Sequence, residues 1–551
     1  MRVGTIRHMS YELPVTREEN YFTADSEFRH LFESLVGPPI WEWIRPQLEQ
    51  MGELCAKKIS KLAPIVDKQS PQHIPYDERG NRIDSIVHHP AYHEIEKIIY
   101  GSGLIAMKYD PALRRRHGRR LHCVGYALGY LFGQAEGGIF CPVCMTDGAA
   151  RVIDRFGSEE LKKKFLPRLT AREFKDLYQG AMFLTEKQGG SDVGLNTCEA
   201  RLEKGEWRLY GDKWFCSKID AQVVLALGRP VGAPAGTKGL GLFLVPRNLD
   251  SGEHNAFTLN RIKDKLGVRS MATGEVTFHG ALAYPIGDIK NGFKEMMEMV
   301  NLSRLYNAVA SVSCMRRSLF EAVHYAKQRE TFEEKLIDHP LMQRTLGELA
   351  SQQLAALHLV FRAVEALDEA DSGNEGALPL ARFLIPLVKY STAKLAVSTA
   401  SECMEILGGN GYIEDYPMAR ILRDAQVLPI WEGSTNVVVL DCLRAAVKTQ
   451  GHLALLKTAQ HWIEKAPSRA SDLLDRFQKE HKRAEEQFEK LSACDLSTAQ
   501  WKARAACDSL YRIGSIGSLL GSGTEASLEA ARWLLIRDDS PRDLSSLLSV
   551  F

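Results

Sequence analysis

QGAMFLTEKQGGSDV, residues 179–193, is the stretch on which the reading of this chain turns. Its first half is a short apolar run of strand character and its second half a polar turn. Gly189 and Gly190 let another group approach the backbone closely. Thr185 and Ser191 place hydroxyls beside them, a set able to hydrogen-bond a flat heteroaromatic ring. The same letters also suit a plain polar hairpin turn. They match neither the Walker loop nor the GxGxxG fingerprint, so phosphate cradling by those routes has no support.

Runs of the same texture follow: EWRLYG (206–211), QVVLALG (222–228), LGLFLVP (240–246) and GEVTFHG (274–280), split by turn signals and the loop RPVGAPAGTKG (229–239). They predict an antiparallel sheet or small barrel over residues 181–290. Residues 1–180 read as helices joined by polar loops, among them the turn-rich DERGNRID (77–84), with nothing that alternates like a sheet. Beyond the sheet, Leu305, Ala308, Val312, Met315, Leu319, Val323 and Ala326 step by three or four, and so do Ala393, Ala396, Ala400, Cys403 and Leu407. Each set gives a helix one apolar stripe. GALP (376–379) separates two such helices, which places a helical domain at 291–447. A further helical region, 448–551, carries Leu474, Phe477, His481, Ala484, Phe488 and Leu491 in a heptad-like register before a GSG break at 521–523. The order is an α+β one, with no internal repeat.

At 551 residues several domains are expected, and a formal net charge of +1 supplies no global field toward nucleic acid or an anionic membrane. The eleven cysteines are odd in number and scattered, which fits a reducing compartment. Cys141 and Cys144 form a lone CxxC that no second pair completes as a metal site, so they read as small buried side chains at a helix start. The opening MRVGTIRHMSYELP lacks the apolar core of a secretory signal, and no apolar run approaches the ~20 residues that span a bilayer. The cytoplasm is the expected location, with a mitochondrial one left open by the weakly basic start.

The second informative stretch is LPIWEGSTNVVVLD (428–441). Glu432 stands between an aromatic residue and a glycine at the opening of an apolar helix. An acid there is commonly a cap or a partner of the helix dipole. Desolvation beside Trp431 offers the other reading: a carboxyl pushed up toward neutrality, suited to removing a weakly acidic proton.

Taken together, LTEKQGGSDV, DKWFCS (212–217), DKLGVRSMATGEVTF (264–278), LSRLYNA (302–308), KQRETF (327–332), ILGGNGY (406–412) and IWEGSTN (430–436) resemble the acyl-CoA dehydrogenase superfamily in order and spacing. The resemblance covers roughly residues 50–447. TEKQGGSDV, CPVCMTDGAA and IWEGSTN look most similar to the AidB-like, alkylation-response branch, whose extra C-terminal helical domain would account for 448–551. The fold so implied is an N-terminal helical domain, a middle antiparallel β domain, a C-terminal four-helix bundle and that additional domain.

The resemblance also implies roles. Thr185, Gly190 and Ser191 would meet the flavin of FAD from the β domain, and Phe215, Cys216 and Ser217 would line the isoalloxazine edge. Arg329 and Phe332, in KQRETF, would meet the FAD of a neighbouring subunit, the guanidinium on the pyrophosphate; taken alone, Arg329 reads as a solvated helix arginine. Gly408 and Gly409 would admit the adenosine part, or else merely end a helix. Ser434 and Asn436 match positions that touch FAD, and Trp431 and Ser191 would border the substrate. Arg304 matches a substrate-side arginine, with a helix-surface ion pair as the equal alternative. Glu432 matches the base that takes the α-proton of an acyl-CoA thioester. In relatives the enolate is stabilised by the Glu backbone N–H and a ribityl hydroxyl. Shared cofactor sites imply a homotetramer, and an electron-transfer flavoprotein would accept the electrons.

Three functions fit this resemblance. One is an acyl-CoA dehydrogenase of fatty acid metabolism acting on medium to long or branched chains. Another is a DNA-binding stress-response flavoprotein with mainly structural FAD, and the last is an acyl-CoA-sequestering lipid sensor. From 451 onward acids and bases are about equal in number, which lowers the nucleic-acid reading.

Overall fold

A computed structural model describes Pro14, residues 18–536 and residues 542–551. The N-terminal stretch weighed above for a leader therefore lies, apart from Pro14, outside the described residues. No helix among the described residues is long and apolar enough to cross a membrane.

Helices dominate up to residue 169, with one departure from expectation. The DERGNRID turn joins two strands, β1 (Gln72–Tyr76) and β2 (Arg82–Val87), in an antiparallel hairpin. The Asp77 carboxylate accepts from the N–H groups of Arg79 and Asn81 and so closes the turn. Both strands are half exposed and polar, which hid their period. They are held by the sheet beyond: Arg82 donates to Leu259 O at 2.7 Å, and Leu259 N to Asp84 Oδ2 at 3.0 Å.

The sheet comprises β3 (Gly180–Phe183), β4 (Glu199–Glu203), β5 (Glu206–Ser217), β6 (Val223–Pro230), β7 (Gly241–Pro246), β8 (Phe257–Ile262) and β9 (Thr273–Pro285). Most pairings are antiparallel, while β6 pairs in parallel with β3 and β4. The circuit β6–β4–β5–β9–β7–β6 closes, so this is a small barrel whose interior holds Leu209, Cys216, Val224, Phe243, Leu259 and Val276. Closure removes most free edges.

From Gly292 the chain returns to helix. Gly292–Gln328, Pro340–Asp371 and Leu378–Ile406 pack on one another, Thr435–Thr449 lies along the third, and the N-terminal helices Leu121–Gly133 and Phe140–Phe156 cover the first. The C-terminal helices Leu496–Ser522 and Glu525–Leu535 then cover the Pro340–Asp371 helix. In the Ser471–Ser492 helix the buried stripe starts at Leu473, not Leu474, because the four-residue step to Phe477 points that side chain inward. A second apolar cluster, with Met145, Leu225, Leu242, Met299 and Val300, joins the barrel to the helices, and the candidate site lies along it.

Candidate active site

The glycine turn leaves β3 and is rooted by charge. Glu186 accepts from Thr197 N (2.7 Å), Cys198 N (3.2 Å) and the fully buried Lys213 Nζ (2.8 Å). Lys213 also donates to Leu227 O inside the barrel at 2.9 Å. Burial pushes the Glu186 carboxyl up, but Lys213 and these hydrogen bonds outweigh it and hold the group below its ordinary range. The turn then closes through Gly189 N on Glu186 O at 3.0 Å, with Gly189 at a φ of +113° that favours glycine. Gly190 is needed for space: a Cβ there would stand 2.6 Å from Thr185 Oγ1. Trp214 N on Thr185 O at 2.9 Å ties the turn to β5. Gly190 and Ser191 stay exposed, as do Lys187 and Gln188 before them.

On β5 the alternation of side chains divides the expected trio. Phe215 is exposed and Ser217 half-buried with its hydroxyl 3.4 Å from Thr273 Oγ1, whereas Cys216 is fully buried in the barrel. The Cys216 side chain is therefore core, and only its backbone faces the surface that Phe215 and Ser217 share.

Glu432 occupies the turn between the Met418–Ala425 and Thr435–Thr449 helices. Glu432 and Gly433 both have positive φ, +59° and +101°. For a glutamate this conformation is strained and persists only under constraint. The constraint is visible. Arg304 Nε donates to Glu432 O at 3.1 Å, and Lys389 Nζ donates to Gly433 O at 2.6 Å. Both cations are buried. Arg304 is fixed in turn by Asp441 at 2.6 Å, and Arg382 grips the other oxygen of Asp441 at 2.6 Å. Arg304 thus makes a buried ion pair rather than a helix-surface one, and it holds the turn that carries Glu432.

The carboxyl of Glu432 is half-buried and close to Ser303, Cys141, Cys144, Lys389 and Arg304. Burial raises it above the ordinary glutamate range, against the pull of Ser303 and the two cations. Burial likewise depresses Lys389, to about 7. The Glu432 N–H makes no hydrogen bond within the described residues. Leu184, next to Thr185, and Trp431, next to Glu432, pack against the same apolar cluster. Ser434 is the N-cap of the following helix yet makes no capping bond through its hydroxyl, and Asn436 is exposed.

The remaining expected residues form a second group. Arg329 caps the end of the Gly292–Gln328 helix, 25 residues after Arg304, or about 37 Å along its axis. Phe332, 93% exposed, sits at a φ of +51° on the tip of a two-residue hairpin. Gly408 and Gly409 have open space where a Cβ would stand, and Asn410 Nδ2 donates to Tyr325 OH at 3.1 Å, so this loop adjoins the helix end that carries Arg329. Leu341 and Tyr412 are largely exposed nearby.

Sequence reasoning missed Lys389, Ser303 and the Asp441–Arg382 pair. Lys389 had a signal: one lysine inside the otherwise apolar run FLIPLVKYS (383–391). Nothing local marked its partner, because the Gly433 carbonyl comes from 44 residues downstream.

Three family models match this chain: "Adaptive response protein AidB N-terminal domain" over 12–176, "Acyl-CoA dehydrogenase, middle domain" over 181–281, and "Acyl-CoA dehydrogenase, C-terminal domain" over 290–447. The chain is 34% identical over 420 residues to "Putative acyl-CoA dehydrogenase AidB" of Escherichia coli, covering 75% of each. It is 34% identical over 416 residues to "Acyl-CoA dehydrogenase family member 11" of Caenorhabditis elegans, covering 73% of this chain and 66% of that one, just under two thirds of its length. The structure of Caenorhabditis elegans ACDH-11 in complex with C11-CoA superposes with a TM-score of 0.91 at 27% identity, covering 98% of this chain and 94% of that one. With this barrel between helical domains and this glycine turn, the chain belongs to the FAD-dependent acyl-CoA dehydrogenase family, in its AidB-like branch.

Proposed function

We propose that the chain catalyses α,β-dehydrogenation of an acyl-CoA thioester, with Glu432 as the base. The observation that carries this is the carboxylate on a strained turn whose two carbonyls are each gripped by a buried cation. Tying the carbonyls back leaves the Glu432 side chain and N–H as the groups free to meet a ligand. The raised carboxyl suits removal of the α-proton, and the unpaired N–H suits the thioester oxygen as negative charge develops there.

The residues present fit FAD. Thr185, Ser191, Phe215 and Ser217 offer hydroxyls and an aromatic edge from the barrel, and the Ser434 hydroxyl is uncommitted on the bundle side. When bound, the flavin supplies the acceptor for the β-hydrogen that leaves as hydride. Arg329, Phe332, Gly408 and Gly409 stand too far along the helix to serve that same flavin. The exposure of Phe332, Gly408 and Gly409 supports contact with the FAD of a second subunit, and hence a homotetramer. An electron-transfer flavoprotein is the proposed oxidant.

Anaerobic titration with acyl-CoAs of graded length tests the reading. A chain near the C11 carried by the worm relative is the first to try. Bleaching of the flavin with formation of the 2-enoyl-CoA is the expected result. Tight binding with no bleaching at any length would replace the dehydrogenase by an acyl-CoA-sequestering protein.

A further inference from the structure

A cleft of ≈ 760 Å³, the scale of a nucleotide-sized ligand, lies between the N-terminal helices and the end of the Pro340–Asp371 helix. One wall is residues 114–117 of RRRHGRR (114–120), on the short Pro111–His117 helix. The facing wall is the last turns of the Phe140–Phe156 helix, with Arg151, Asp154 and Arg155.

The charges on these walls do not cancel. Asp154 is taken by Arg114 at 2.8 Å. Asp371 is taken by Arg151 at 2.6 and 3.0 Å, by Arg155 at 2.5 Å and by His122 Nε2 at 2.9 Å. Asp368 accepts from the backbone N–H groups of His122 and Cys123 at 2.9 and 2.8 Å. Arg115 and Arg116 are left exposed on the cleft, with no ion pair among the described residues. Beside them His117 is buried and stacked on Trp43, ring centroids 4.7 Å apart. Its Nε2 has no hydrogen-bond partner, and neither has Nδ1 of His122 on the same cleft. Two adjacent guanidinium forks, with the unpartnered Nε2 of the buried His117 next in the chain, make a donor set for phosphate oxygens.

We propose that this cleft is a second ligand site, for a small molecule carrying phosphate groups. It is separate from the Glu432 site: Cys141, which adjoins Glu432, and Arg151 are about 15 Å apart along their shared helix. A concave pocket with its carboxylates already paired suits a compact phosphate ester. A nucleic acid backbone needs an extended basic face, for which a chain of net charge +1 makes no general provision.

Isothermal titration of the FAD-saturated protein with ADP, pyrophosphate and a duplex oligonucleotide tests this, alongside Arg115→Ser/Arg116→Ser. The expected result is saturable binding of ADP or pyrophosphate that weakens at least tenfold in the double variant, with flavin content and acyl-CoA bleaching unchanged. ADP binding much tighter than pyrophosphate identifies a nucleotide; equal binding identifies the phosphates alone as what is read. No binding of either small probe, binding that the double variant retains in full, or binding of the oligonucleotide alone would each overturn the proposal. Loss of bleaching leaves this outcome untouched, so the two readings fail separately.

Discussion

The glycine turn at 185–191 and the Glu432 turn are built by opposite means. In the barrel, one buried carboxylate collects the donors: Glu186 draws in two backbone N–H groups and Lys213, and the turn hangs from it. In the bundle, two buried cations collect the acceptors: Arg304 and Lys389 take the carbonyls of Glu432 and Gly433. The first arrangement leaves hydroxyls facing out, and the second leaves a carboxylate and an N–H. The proposed flavin surface and the proposed base thus share one plan, a loop whose other polar groups are tied up behind it.

The contrast predicts different failures. Lys213→Met strips a buried carboxylate of its cation and should cost about 3–5 kcal/mol, read as a shift in urea midpoint with loss of bound FAD. Adding Glu186→Gln should restore much of that stability; an unchanged midpoint in the single variant would show that the turn is not rooted by this pair. Arg304→Met should spare the barrel and its flavin while slowing bleaching by about 10²-fold, since the base loses its fixed position.

Lys389→Met should act mainly through pH. The wild-type bleaching rate should rise as pH climbs through the raised Glu432 value, and removing the neighbouring cation should move that midpoint further up. Stability carries its own sign. Lys389 is depressed from 10.5 to about 7, so the folded state binds fewer protons than the unfolded between those values and stability should increase with pH across that window. The variant should lack that slope. Least of all, Gly190→Ala should crowd Thr185 Oγ1 and weaken FAD by about tenfold, roughly 1.4 kcal/mol, measured by flavin release.

Much of this was legible because strands and helices write their periods into sequence. The barrel runs from 206 to 280 and the stripe from Leu305 to Ala326 are both present as read. The β1–β2 hairpin escaped because its strands are polar and half exposed, held by Arg82 and Asp84 reaching β8 across more than 170 residues. Cys216 was grouped with Phe215 and Ser217 by adjacency, while the strand's two-residue period put it inside. Arg304 was legible as important but not in what it grips, for Asp441 lies 137 residues away. Motifs disclose which residue types gather; they do not disclose which groups stand behind them.

The central claim is that the side chain at 432 takes the proton. Anaerobic stopped-flow bleaching of Glu432→Gln against wild type, with the acyl-CoA that binds best, tests it most directly. The variant should retain FAD and bind the thioester, yet bleach at least 10³-fold more slowly. Bleaching at the wild-type rate in that variant would contradict the claim and assign the base elsewhere.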